Sequence, residues 1–190
     1  MSTNRKKLLL HSCCGPCSTA VLERLVDNFD VTVFYFNPNI TEEEEYLHRK
    51  AEEQRFIKEY CANTGVEINF IEGEYLPNDY LECVRGLEEE PEGGARCIKC
   101  FEMRLEETVK LAKKLQFDCF DTTLTVSPYK NYDNISAIGQ NLSEKYGIEY
   151  LSGNYKKQNG YQRSIELSKE YGLYRQHFCG CEFSKRSDEE

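Results

Sequence analysis

Seven of the ten cysteines in this chain stand in three tight groups that are far apart in sequence: Cys13-Cys14-Gly15-Pro16-Cys17, Cys97-Ile98-Lys99-Cys100 and Cys179-Gly180-Cys181. A fold that brings the three groups together supplies more thiolates than one tetrahedral zinc can use. The surplus points to iron with sulfide, or to more than one metal. Disulfides are the competing use of paired cysteines. The chain opens Met-Ser-Thr-Asn-Arg-Lys-Lys, and the apolar run that follows, Leu8 to Leu10, is too short for the core of a signal peptide. The expected location is therefore the reducing cytoplasm, where clustered cysteines bind metal or react rather than bridge. Cys61, Cys83 and Cys119 each stand alone in an apolar-periodic stretch and read as small core hydrophobes.

Composition bounds the rest. A chain of 190 residues with 39% hydrophobic content fits a single domain over 1–190, with a core from about 6 to 184 and short, flexible termini. No apolar stretch is long enough to span a membrane, and none is expected as a partner. A net charge of −9 argues against generic, salt-driven binding to nucleic acid. The charge is unevenly placed: eighteen acids face eight Lys or Arg between Thr41 and Glu106. From Asn154 to Arg186 the balance reverses, with Lys156, Lys157, Arg163, Lys169, Arg175, Lys185 and Arg186 against three acids. Solvated helix faces carry such runs as well, so charge alone leaves open whether the basic third is an anion-binding surface.

The hydrophobic pattern alternates between strands and helices. Lys7 to His11 predicts a short apolar strand, and Ser18-Thr19 a cap for a helix running to about Asp27. Val31 to Phe36 is β-branched and aromatic, hence a strand, closed by Asn37-Pro38-Asn39. Thr41 caps a long helix to about Asn63, with Gly65 as its stop. Val66 to Ile71, Asp118 to Thr125 and Ile148 to Leu151 read as strands. Arg104 to Leu115, Asn131 to Lys145 and Arg163 to Tyr171 read as helices, and Asn159 to Gln162 as a mobile loop. Strands separated by helices imply right-handed crossovers and a parallel sheet, so the expected class is α/β, doubly wound.

In such sheets ligands bind beyond the carboxyl ends of the strands. The loop after the first strand is His11 to Cys17, and it lacks the glycine spacing of a phosphate cradle. Thiols occupy the place of phosphate. The start of the following helix favours thiolate over thiol through its dipole. His11 lies at the strand end, where a histidine can donate a proton or simply hydrogen-bond within the fold. Tyr174, Arg175 and Gln176 are tethered near the last cysteine pair, either as substrate contacts or as anchors of that segment. Lys130, in Ser127-Pro128-Tyr129-Lys130-Asn131, falls on the same sheet edge as the first loop. With Lys156, Lys157 and Arg163 it forms the candidate anion-binding set.

Five stretches together, Leu-Leu-Leu-His-Ser-Cys-Cys-Gly-Pro-Cys-Ser, Asn-Pro-Asn-Ile, Pro-Glu-Gly-Gly-Ala-Arg-Cys-Ile-Lys-Cys, Thr-Thr-Leu-Thr-Val-Ser-Pro-Tyr-Lys and Tyr-Arg-Gln-His-Phe-Cys-Gly-Cys, closely resemble the epoxyqueuosine reductases of the QueH type. The resemblance runs from about Leu8 to Ser184. It implies a Rossmann-like fold of the nucleotide alpha-hydrolase kind. It also implies a cobalamin-independent oxidoreductase that reduces epoxyqueuosine to queuosine at the wobble position of tRNA, the last step of queuosine biosynthesis. The implied cofactors are a [4Fe–4S] cluster and an adjacent mononuclear iron, held among Cys13, Cys14, Cys17, Cys97, Cys100, Cys179 and Cys181. Some family members carry Asp at the position of Cys17, which marks Cys17 as a ligand of the second iron with a catalytic role. The division of the other six stays open. His11 and Tyr174 are the candidate proton donors, and Lys130, Lys156, Lys157, Arg163, Arg175 and Gln176 the candidate substrate contacts. Two electrons must come from outside, from a ferredoxin or flavodoxin, because no flavin or nicotinamide motif is visible. Two other readings use the same thiols: a zinc-bound nucleic-acid-binding module, and an iron–sulfur thiol/disulfide reductase.

Overall fold

The computed structural model describes residues 5–185. Its centre is β1 (Lys6–Ser12), flanked in parallel by β2 (Phe29–Tyr35) and by β4 (Cys119–Thr122). With β3 (Asn69–Glu72) beyond β2 and β5 (Glu149–Tyr150) beyond β4, five parallel strands lie in the order β3-β2-β1-β4-β5. A central strand covered on both faces needs an unbroken apolar run, and Leu8, Leu9 and Leu10 are fully buried. Leu8 and Leu10 point one way, with Val31 and Val33, onto α1 (Gly15–Leu25) and α2 (Glu43–Thr64) through Val21, Leu22, Phe56 and Ile57. Leu9 points the other way, with Phe34 and Phe120, onto Val109 and Ala112 of α4 (Ala95–Lys114). The remaining helices are α3 (Pro77–Cys83), α5 (Tyr132–Tyr146), which packs on α4, and α6 (Gly160–Glu170), which packs on α1. The class is α/β and doubly wound, as expected. The order reverses between β1 and β4, so the switch point lies beyond their carboxyl ends, over the loop that carries Cys13 and Cys14.

Several boundaries differ from the sequence reading. α1 begins at Gly15, with Pro16 in its first turn, and Ser18 and Thr19 lie inside it, returning their hydroxyls to the Gly15 and Pro16 carbonyls. α2 starts after an extended Glu42 rather than at Thr41, its first turn made of Glu43, Glu44 and Glu45, which suit the positive end of the helix dipole. It ends as expected on Gly65, at φ +73°, whose N–H closes on the Cys61 carbonyl. β3 begins three residues later than Val66. Residues 123–126 form a short 3₁₀ turn instead of continuing β4, because the Thr122 hydroxyl accepts the Leu124 N–H. α3 was not anticipated. α4 starts nine residues before Arg104, which puts Cys97 and Cys100 on its first turns. Residues 160–162 are not a mobile loop: they open α6, where the Arg24 side chain reaches the Lys157 and Gln158 carbonyls. Of the three lone cysteines, Cys119 is buried, Cys61 is half-buried and Cys83 is exposed, so Cys83 is no core residue. Arg186 lies outside the described residues.

Candidate metal centre

The turn from β1 into α1 brings the sulfurs of Cys13, Cys14 and Cys17 within 4.8 Å of one another. The helix geometry explains why: Cys14 is the residue before the first helical turn and Cys17 lies one turn on, its N–H bonded to the Cys14 carbonyl at 3.1 Å. The trio packs against Phe101, Leu105, Leu124 and Ile135. Hydrogen bonds from the Cys14 and Cys17 thiols hold Cys13 well below the usual thiol value. The sulfur of Cys13 in turn pushes Cys14 up to about 12 and raises Cys17 well above the usual thiol value.

The other four cysteines of the three groups, Cys97, Cys100, Cys179 and Cys181, line one cleft together with Lys130 and Tyr129. Cys97 and Cys100 come from the first turns of α4, and the Gly93 N–H reaches the Cys97 sulfur at 3.2 Å. Burial raises Cys97, and raises Cys100 to about 12. Cys100 and Cys181 pack against Tyr80 and Val84. Lys130 is drawn down by burial, but the sulfurs of Cys179, Cys13 and Cys17 outweigh that and hold its ammonium charged. It therefore feels both cysteine groups.

A buried arginine fixes each segment of this cleft. Arg49, from α2, donates to the Phe178 and Cys179 carbonyls at 3.2 and 3.1 Å and pairs with Glu45 at 2.6 Å. Arg96 gathers the Leu87, Glu88 and Glu90 carbonyls and so ties down the acid-rich loop before α4. Arg104 reaches Asn37 Oδ1 at 2.6 Å, His11 Nε2 at 3.3 Å and the Cys100 sulfur at 3.8 Å.

The sequence-named residues fall in different places. His11 is wholly buried, with Nδ1 2.8 Å from Thr122 Oγ1 and Nε2 3.1 Å from the Phe36 carbonyl. Burial, with the Arg104 charge beside it, lowers it to about 3, so it is a neutral imidazole with no acidic proton to give; its place under the loop is that of a positioning residue. The Tyr174 hydroxyl faces Glu45 at about 3.4 Å while its ring stacks on His48, and it does not line the cleft. Gln176 Nε2 donates to the Cys14 sulfur at 2.8 Å. Arg175 is turned inward to the Ser164 carbonyl and the Ser168 hydroxyl, the anchoring role. Arg163 is spent on Glu23 and Glu166. Lys156 holds the Lys130 carbonyl at 2.7 Å and so shapes the loop that carries Lys130. Lys157 is exposed.

Seven thiols, N–H groups donated to the sulfurs of Cys14, Cys97 and Cys100, apolar walls and cations held nearby suit an anionic metal–thiolate group, since soft thiolate donors select iron–sulfur clusters or zinc. The sequence profile of the family described as "Epoxyqueuosine reductase QueH" matches residues 8–187. The chain belongs to that family. An epoxyqueuosine reductase QueH of Streptococcus pyogenes is 46% identical over 182 residues, covering 96% of this chain and 71% of its own length. That of Thermotoga maritima is 34% identical over 180 residues, covering 93% and 89%. Among solved structures, the U34-tRNA thiolase NcsA from Methanococcus maripaludis with its [4Fe–4S] cluster superposes with a TM-score of 0.55 at 14% identity, over 97% of this chain and 63% of that one. At that identity the likeness speaks to the fold alone. No described helix is long and apolar enough to cross a membrane.

The site of this QueH family member includes residues that sequence reading missed. Arg104 lies one helical turn beyond Cys100, a signal that a helix predicted to begin at Arg104 conceals. Arg49 sits within a charge run that reads as a solvated face. Glu53, also from α2, is wholly buried beneath the first loop, with Oε2 accepting from the Ser12 hydroxyl at 3.0 Å and Oε1 unpartnered among the described residues. Burial raises its carboxyl to about 8. The folded state thus holds the proton more tightly than the unfolded chain, so the stabilisation is complete below about pH 4.5 and is lost as pH rises toward 8. Glu53→Gln is expected to gain on the wild type by about 1 kcal/mol per pH unit across that window and then level off. Thermal melts at pH 5.5 and 8.5 measure this, and a pH-independent difference contradicts it.

Proposed function

We propose that this protein reduces the epoxide of epoxyqueuosine in tRNA to queuosine, with an iron–sulfur cluster and a second iron held by the seven clustered cysteines. The observation that supports the reading best is that two distant cysteine groups line one cleft and the third, Cys13, Cys14 and Cys17, shares an apolar cluster with Phe101 and Cys97 of α4, in a chain whose family match is nearly end to end. Removing an epoxide oxygen as water and leaving an alkene consumes two electrons and two protons. When bound, the iron centre supplies electrons singly and an open coordination position for an oxygen. The candidate ligands are Cys13, Cys14, Cys17, Cys97, Cys100, Cys179 and Cys181; Cys17, half-buried at the open side of its trio, is the candidate for the second iron.

The chain's own residues do the rest. Lys130 brings an ammonium to the cleft, where it hydrogen-bonds a substrate oxygen. Tyr129, 70% exposed beside it, offers a flat face at the mouth. Single-stranded anticodon bases splay out and stack on such aromatics. Electrons arrive from a small carrier such as a ferredoxin or flavodoxin. A base stacked on an aromatic ring is worth about 1–3 kcal/mol, so Tyr129→Ala is expected to raise KM for tRNA about tenfold or more with kcat nearly unchanged, and Tyr129→Phe to restore it. An unchanged KM removes Tyr129 from the docking surface.

The decisive test is anaerobic. Protein reconstituted with iron and sulfide is given a chemical reductant and epoxyqueuosine-containing tRNA, and the nucleoside is followed by mass spectrometry. Loss of one oxygen mass is the expected result. A colourless protein that holds only zinc and converts nothing favours a binding module. Turnover of a small disulfide with no effect on tRNA favours the thiol reductase.

A further inference from the structure

Arg104 is 1% exposed, and no carboxylate lies within 4.0 Å of its guanidinium among the described residues. Its contacts are an amide oxygen, an imidazole nitrogen and the sulfur of Cys100. A buried charge that lacks an opposite charge is among the costliest features a fold can carry. The ionisable groups it faces are thiols: that of Cys100 at 3.8 Å and, further off, those of Cys13 and Cys179, one from each cysteine group. Arg49 offers the contrast, for it is equally buried but paired with Glu45. Arg96 is also spent on backbone carbonyls, which a guanidinium can satisfy without an anion. Of the three, Arg104 alone has a thiol within hydrogen-bond distance.

We propose that Arg104 is a positioning residue that serves as the built-in counter-charge of the metal–thiolate assembly, stabilising its anionic state and raising its reduction potential. The inference rests on the metal reading of the cysteines. Adding an electron makes the assembly more negative, so a fixed positive charge favours the reduced form. Asn37 and His11 hold the guanidinium in place: Asn37 Oδ1 accepts from Nη2, while the Nδ1 contact with Thr122 Oγ1 orients the ring of His11 so that Nε2 accepts from the Arg104 Nε–H. This gives the buried histidine and the Asn-Pro-Asn turn a common purpose, which is to aim one cation.

Arg104→Met keeps much of the volume and removes the charge; Arg104→Lys keeps the charge and loses the fork. Each is compared with the wild type twice, as metal-free protein under chelator and reductant, and after anaerobic reconstitution with iron and sulfide. In the metal-free state Arg104→Met is expected to melt at or above the wild type, since an uncompensated charge is gone. Reconstitution is expected to raise the melting point of the wild type more than that of Arg104→Met, with metal retention against a chelator about tenfold weaker in the variant. Redox titration should give Arg104→Met a more negative midpoint, with Arg104→Lys close to the wild type. Equal destabilisation of both states, an unchanged midpoint, or failure of metal-free Arg104→Met to fold overturns the inference, since each makes Arg104 a packing residue. If the wild type itself takes up no metal, the metal reading fails instead.

Discussion

Cys14→Ala and Cys181→Ala are each expected to reduce epoxide turnover to the background rate while the sheet and its helices stay folded. Cys14 loses one small side chain from a site that already borders Phe101 and Leu124, a deletion worth about 1 kcal/mol in the metal-free protein. The chemical loss is far larger, because in the proposed centre the two sulfurs come from different cysteine groups and neither group can replace the other. Iron per chain should fall in both variants without reaching zero: Cys14→Ala leaves the four cysteines of the cleft, and Cys181→Ala leaves the trio at the start of α1. Iron analysis with visible absorption of the reconstituted proteins reads this directly. Full iron content and full activity in either variant would remove that cysteine from the ligand set.

Arg49→Met is the second large effect. Arg49 is 1% exposed, its ion pair with Glu45 is mostly shielded from water, and two of its nitrogens hold the carbonyls of Phe178 and Cys179. Removing one partner of a buried pair strands the other, and the cost is about 3 kcal/mol. Arg49→Lys is expected to recover little, because an ammonium cannot serve Glu45 and two carbonyls with the geometry of a fork. The loss should concentrate in the last segment, so limited proteolysis ought to cut near residues 176–184 before the core melts. Gly180→Ala approaches the same point by another route. Gly180 sits at φ +108°, and a Cβ there would come 2.7 Å from Ile40 Cγ1 and 3.1 Å from Arg49 Nη1. Chemical denaturation and metal content should move together in both variants; a stability loss with normal metal retention would separate the anchor from the site.

The parallel sheet was legible because its signals are strong and local. Leu8-Leu9-Leu10 has no polar break, and Val31 to Phe36 is a run of β-branched and aromatic residues. The cysteine groups were legible as well, since their spacing is independent of where elements begin. What the sequence hid was the geometry between them. α4 was begun at Arg104 because Pro91-Glu92-Gly93-Gly94 reads as loop and the Cys-x-x-Cys that follows has no helical apolar stripe of its own; Cys97 and Cys100 gain their face from the cleft they line. Arg163 and Arg175 read as free cations because charge counting ignores partners: Glu166 lies one turn along the same helix from Arg163, while Glu23 and the Ser164 carbonyl reach Arg163 and Arg175 only through the fold. Arg49 and Glu53 were hidden by the reverse error: in a helix with so many charges, nothing local says which few face inward.

The grip of α2 on the final cysteine pair has a consequence for how the protein is made. All five strands and the first two cysteine groups lie before residue 151, yet Cys179 and Cys181 arrive some thirty residues later and are seated by an arginine 130 positions upstream. A nascent chain can therefore complete its sheet before its ligand set is whole. On the proposed metal reading, full loading belongs to the finished polypeptide, and chains interrupted after α6, which keep five of the seven clustered cysteines, should hold less iron than the whole chain.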